Sequence, residues 1–277
     1  MGGGGHAALL REAGAEVLAI DRDPEAVAAA RAALGETGIR YAIGPFASPA
    51  MLEAIRTFHP DHVLLDLGVS SHQLDSPERG FTFRSGAPLD MRMDGRGITA
   101  ADVLNTWPPE RLADAFADLA DERPARARRL GQTIARRRER APFLTSDDFV
   151  NAIREVLGAR SGPADFARLF QALRIVVNGE REQLEGALPE LRDRLAPGGR
   201  LGVISYHSGE DRVVKHAFRE WARACICPPR QPVCTCRGRP LGRVLTRRSV
   251  QPTPQEIADN PRARSARFRA FEVPDGG

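Results

Sequence analysis

"VLAIDRDPEAVAAARAAL", residues 17–34, decides how this chain is read. Val17, Leu18, Ala19 and Ile20 run into Asp21, the mark of a buried strand that leaves the core at an acid. Asp23-Pro24-Glu25 then opens a helix. Asp caps the free N–H groups, Pro takes the first helical position, and Glu favours the positive end. A strand followed at once by an Ala-rich helix is half of a βαβ unit, and the pattern extends both ways. Residues 7–13 read as a short helix, 41–43 as a strand, 51–58 as a helix, and 62–66 as a strand ending in Asp66. This alternation predicts an α/β fold with a parallel sheet covered by helices on both faces.

Beyond residue 98 the texture changes. Residues 99–105, 109–120, 125–140, 146–157 and 163–175 read as successive helices with no strand between them. A helix at 181–195, an "APGGR" turn and a strand at 201–206 then return the chain to a sheet. A helix at 209–223 and a loop at 225–239 follow. The tail carries Phe268, Ala270 and Val273 in an apolar pattern that suits a last, edge strand. The expected organisation is a sheet domain built from 1–97 and 179–277, interrupted by an all-helical insertion at 98–178.

The chain has 277 residues, 42% of them hydrophobic, enough for a sizeable core. Its formal charge is +4, and Lys215 is its only lysine, so the basic charge is almost all arginine. Arginine pairs bidentately with phosphate, which makes nucleic acid a reasonable partner. A genome that writes Arg in place of Lys gives the same composition. No apolar run approaches the ~18 residues of a membrane helix, no signal peptide is evident, and the cysteines form one local cluster. A cytoplasmic protein with no membrane partner is expected.

Gly2 to Gly5 and His6 precede the first helix. Glycines let a backbone approach a cofactor closely, and Asp21 at a strand end can hold ribose hydroxyls. NAD enzymes and S-adenosylmethionine enzymes share this logic, and a linker also reads as a glycine run. The stretch after the third strand is sharper: "LLDLGVSSHQLDSPERGFTFRSGAPLDMRMD", residues 64–94, crowds polar groups beside a strand terminus without regular periodicity.

With "GGGGH", "AIDRDPEA", "GPF", "PLDMRM", "FQALRIVVN", "LAPGGRLGVISYHSGEDRVVK" and "NPRARSARFR", this stretch resembles the bacterial 16S ribosomal RNA (cytosine-N4)-methyltransferase family up to about Glu272. The resemblance implies a Rossmann-like S-adenosylmethionine methyltransferase sheet with an inserted helical domain. It also implies methyl transfer to N4 of a cytidine in the decoding region of the small ribosomal subunit. Cofactor contacts would fall on Gly4, Gly5, His6, Asp21, Phe46, Asp66 and Gln73. In the family a first strand ending in D-x-T-x-G comes before these glycines. Here the chain begins inside that loop, so a natural start upstream is expected, with ladder groups unpaired on either side of the missing strand. Tyr206, Gly209, the stretch 119–138 and the approach to "FQALRI" depart from the family pattern.

The amine of cytosine is a poor nucleophile, because its lone pair is delocalised into the ring. An oxygen acceptor on its N–H assists. Asp66 is the first candidate, with Ser70 and Ser71 as orienting groups and His207 and Asp211 on a second strand-end loop. The plainer role for His207 is to tie that loop to Asp211. No Pro-Cys pair is present for C5 methylation, and the turn after the third strand reads Leu67-Gly68-Val69-Ser70 rather than the Pro-Pro-aromatic turn of DNA amino-methyltransferases. DNA is not an expected partner. The basic run "RPARARRLGQTIARRRER" and the tail residues Arg262, Arg264, Arg267 and Arg269 read either as solvated faces or as phosphate contacts. Cys225, Cys227, Cys234 and Cys236 are close enough in sequence to hold zinc, but C-x-C pairs depart from the usual C-x-x-C knuckle, and no metal ligand is assigned. Three other readings remain: the same cofactor with another RNA or a protein substrate, an NAD-linked oxidoreductase, and a non-enzymatic ribosome-binding factor. The NAD reading is disfavoured because no hydride-transfer acid–base pair is evident.

Overall fold

A computed structural model describes residues 2–231 and 233–275. Helix α1 (Gly5–Glu12) leads to strand β1 (Val17–Asp21), helix α2 (Pro24–Leu34) and strand β2 (Ile39–Ile43). The opening of α2 follows the sequence reading: the Asp23 side chain accepts from the Glu25 N–H at 3.0 Å, with Pro24 next to it. β1 and β2 pair in parallel, with Val17 opposite Ile39, and form a two-stranded sheet of their own. Helix α3 (Pro49–Phe58) leads to strand β3 (His62–Asp66), and a short helix α4 (Ser71–Asp75) lies in the polar loop that follows.

Five helices come next: α5 (Ala100–Thr106), α6 (Pro109–Leu119), α7 (Pro124–Arg138), α8 (Ser146–Leu157) and α9 (Pro163–Asn178). They pack around a fully buried group that includes Phe116, Leu130, Ile134, Phe149 and Ile153. Burial of each such side chain contributes about 1.5–3 kcal/mol. Leu89 and Met91 from the preceding loop enter the same cluster. Gly131 lets α7 approach the start of α6, because a Cβ there would stand 2.3 Å from the Pro109 carbonyl oxygen.

Helix α10 (Glu180–Arg192) returns the chain to strand β4 (Arg200–Ser205). Helix α11 (Ser208–Trp221), strand β5 (Arg243–Val244), helix α12 (Pro254–Asp259) and strand β6 (Arg267–Glu272) complete the fold. The larger sheet has the order β3-β4-β6-β5, with β3 parallel to β4 and β6 antiparallel to both its neighbours. Leu184, Leu188, Leu201, Val203, Phe218, Trp221 and Phe271 form its core, and Leu18 and Ile20 of the smaller sheet pack against it. One expectation is corrected. The tail strand β6 is interior, and the edge is the two-residue β5. A strand that short has no periodicity to read, and β6 is buried on both faces from Arg269 to Glu272 rather than on alternate residues.

Candidate active site at the strand ends

The acid that ends β1 meets the glycine turn, and the acid that ends β3 meets the helix that follows that turn. The Gly2 N–H donates to Asp21 Oδ2 and the Asp23 N–H to Asp21 Oδ1, each at 2.9 Å. Gly4 precedes α1 at φ +86°, a left-handed conformation that favours glycine, and a Cβ there would stand 2.8 Å from Leu34 Cδ1 and 3.2 Å from Ala30 Cβ of α2. α1 then carries His6 toward β3, with Nδ1 3.2 Å from Asp66 Oδ2. From the other side the Tyr206 hydroxyl donates to Asp66 Oδ1 at 3.0 Å. Tyr206 arrives there because β4 runs beside β3, with Asp66 opposite Ile204.

This placement governs ionisation. Burial alone would push the Asp66 carboxyl up, but the hydrogen bond and charge of His6, with the Tyr206 hydroxyl, hold it below its usual range. The hydrogen bond to Asp66 raises His6 above its ordinary 6.5 despite desolvation. Burial, then the Asp66 charge, raises Tyr206, so its hydroxyl stays protonated and donates.

The polar loop is built around buried Asp23. Gln73 is buried and gives its amide N–H to Asp23 Oδ2 at 2.7 Å, while Arg79 reaches the same oxygen at 3.0 Å. Arg79 also donates to the Met93 carbonyl at 2.8 Å. Ser70 caps α4 in a reciprocal pair with Gln73, its hydroxyl accepting the Gln73 N–H at 3.2 Å. Ser71 is exposed at the start of α4. Phe46 is half-buried and packs against the core of the larger sheet. The motif blocks around residues 91 and 178 also converge. Asn178 receives the Met93 N–H at 2.9 Å and donates to the Met91 carbonyl at 2.8 Å.

A sequence model described as the MraW methylase family matches residues 1–273. This chain belongs to that family. It is 57% identical to a protein named ribosomal RNA small subunit methyltransferase H from Gemmatimonas aurantiaca, over 98% of this chain and 87% of that one. Identity to the protein of the same name from Pelobacter propionicus is 46%, over 98% of this chain and 90% of that relative. For the one from Thermomicrobium roseum it is 47%, over 98% and 85%.

Against that family pattern, Tyr206 entered the sequence reading only as a departure, yet it is a direct partner of Asp66. Its sole sequence signal is a position just past a strand that could pair with β3. His207 caps α11, its Nδ1 accepting the Glu210 N–H at 3.4 Å. Its Nε2 lies 3.2 Å from Glu210 Oε1 but off the line of a hydrogen bond. The tie to Asp211 is therefore corrected. Asp211 is held by Arg269 at 2.6 and 3.0 Å, because the antiparallel β6 brings that arginine under α11. Arg267 lies 3.5 Å from the same carboxylate, and Arg262 pairs with Asp75, so most of the basic tail is internally neutralised. In α7, Arg136 and Arg137 pair with Glu155, and Arg138 donates to the Leu104 and Trp107 carbonyls. Arg128 and Arg129 are exposed. A cavity of about 480 Å³ lined by Arg56, His59 and residues 193–197 lies near the starts of β3 and β4 and contains none of these strand-end groups.

Proposed function

We propose that the chain transfers a methyl group from S-adenosylmethionine to the exocyclic N4 of a cytidine in 16S rRNA of the small ribosomal subunit. The observation that carries this reading is the Asp66 carboxylate, held ionised between His6 and Tyr206 at the end of β3, beside a glycine turn. The residues suit the cofactor. At Gly3 and Gly5 nothing lies within 4 Å of where a Cβ would stand, so bare backbone faces open space, and carboxylates suit both ribose hydroxyls and a sulfonium charge. Gly4, Gly5 and His6 would lie under the methionine end, Asp21 would take the ribose, and Phe46 would offer adenine an apolar face. Gln73 supports the loop through Asp23.

When bound, the cofactor supplies an electrophilic methyl group. Asp66 accepts an N–H of the target amine, which localises the nitrogen lone pair, and takes the proton once the N–C bond has formed. A carboxylate has about four lone-pair sites, so the bonds from His6 and Tyr206 leave capacity on both oxygens. The cation produced by attack is strongly acidic, so a carboxylate with a lowered pKa still suffices. Ser71 is free to orient the base, Ser70 shapes the loop as a helix cap, and His207 fixes the second loop.

Residues 98–178 act in this reading as the substrate-recognition domain, supported by an apolar cluster separate from that of the sheet. Among the described residues no helix is long and apolar enough to cross a membrane, in keeping with a cytoplasmic site of action. The test is transfer from labelled S-adenosylmethionine to unmethylated small subunits, followed by nucleoside analysis. N4-methylcytidine supports the reading. Label in another nucleoside, or none in the RNA, overturns it.

A further inference from the structure

The excursion between α11 and β5 has no apolar core. Among its described residues from 223 to 241 none is buried, and Ile226 and Val233 are 40% and 68% exposed. Its ends are joined: the Leu241 N–H donates to the Trp221 carbonyl at 2.8 Å, and Arg237 spans to Glu220 at 2.7 Å. Loops of this length without secondary structure are uncommon in compact proteins unless something orders them. Here four sulfurs converge. Cys225, Cys227, Cys234 and Cys236 have Sγ atoms that all lie within 4.8 Å of one another. Four of the separations are 3.4 Å for Cys234–Cys236, 3.7 Å for Cys225–Cys234, 3.8 Å for Cys225–Cys236 and 3.9 Å for Cys227–Cys234.

These lengths identify the arrangement. A disulfide holds its sulfurs at about 2.05 Å, and all four cysteines are free thiols. A tetrahedral zinc ion with Zn–S of about 2.3 Å sets its ligands roughly 3.8 Å apart. We propose that Cys225, Cys227, Cys234 and Cys236 form a structural zinc site that closes this excursion into a rigid knuckle.

The backbone supports thiolate ligands. The Ile226 N–H points at Cys236 Sγ at 3.3 Å, across from one C-x-C arm to the other. A dication would accept all four sulfurs as thiolates. A tetrahedral four-sulfur set takes zinc or iron, and the divalent affinity order places zinc above ferrous iron. With four protein ligands no open position remains, so the role is structural rather than catalytic.

The test is total metal analysis of the full chain purified under reducing conditions without chelator, with thiol titration alongside. One zinc per chain is expected, with the thiols unreactive until a chelator is added. The double variant Cys225→Ser/Cys234→Ser, with circular dichroism confirming its fold, should lose the zinc and become cleavable by protease within residues 222–242. Replacement by cobalt should give thiolate-to-metal charge-transfer absorption in the parent chain only. Absence of stoichiometric zinc both as purified and after dialysis against zinc overturns the proposal. Equal zinc in the folded double variant, or stoichiometric iron in its place, does so too.

Discussion

Asp66 carries most of the chemistry proposed here, and its neighbours set its behaviour. Asp66→Asn keeps the shape but removes the anionic acceptor. Turnover should fall by about 10²–10⁴, with an unchanged circular dichroism spectrum. Undiminished turnover would remove Asp66 from the mechanism. His6 gives a second test. Its folded pKa is raised, so its attraction to Asp66 is fully present below the ordinary 6.5 and is lost as pH rises through the folded value. A histidine NMR titration should place the His6 midpoint above 6.5 in the parent chain and lower in Asp66→Asn. An unshifted midpoint in the parent would break the proposed link. At this scale, an acid at a strand end is visible in sequence, whereas its Tyr206 partner lies 140 residues away and is set by strand pairing.

Two contacts join whole elements. Gly131 sits where α7 crosses the start of α6, so Gly131→Ala must move one helix off the Pro109 carbonyl. The cost should be about 1–3 kcal/mol, read as a lower urea midpoint, and an unchanged midpoint would mean the helices adjust freely. Asp211 joins α11 to β6 through Arg269, both side chains being 10% exposed. Asp211→Ala leaves that arginine buried without its main partner and should cost about 3–5 kcal/mol. A loss within experimental error would show that solvent reaches Arg269 easily. The helices of this region were legible because apolar spacing and caps repeat over several turns. β5 and α4 were not: one is two residues long and the other five.

At the scale of the molecule, the two sheets differ in how much core each owns. The β1–β2 pair rests on a cluster whose buried members are Ala7, Ala19 and Ile39, while the larger sheet is backed by Leu201, Val203, Phe218 and Phe271 among others. Hydrogen exchange should therefore release β1 and β2 amides before those of β4 and β6. Simultaneous exchange would show that the sheets open as one unit. Charge also sorts at this scale. Arg128 and Arg129 remain exposed while most of their basic neighbours pair internally. Arg128→Ala/Arg129→Ala should weaken rRNA binding and flatten its salt dependence by roughly 0.7–0.9 per lost phosphate contact, with the urea midpoint unchanged. Salt-independent binding in both proteins would remove α7 from the RNA interface.

The sequence by itself determined the α/β class, the helical run between β3 and β4, the family, and the acids at the strand ends. Each of these is written in local periodicity, caps or contiguous motif blocks. Only the tertiary structure decided that Asp66 lies between His6 and Tyr206, that Gln73 and Arg79 converge on Asp23, that β6 is interior, and that four thiols close to tetrahedral spacing. Those facts depend on strand register and on chain segments meeting across long sequence separations, and no local pattern encodes them.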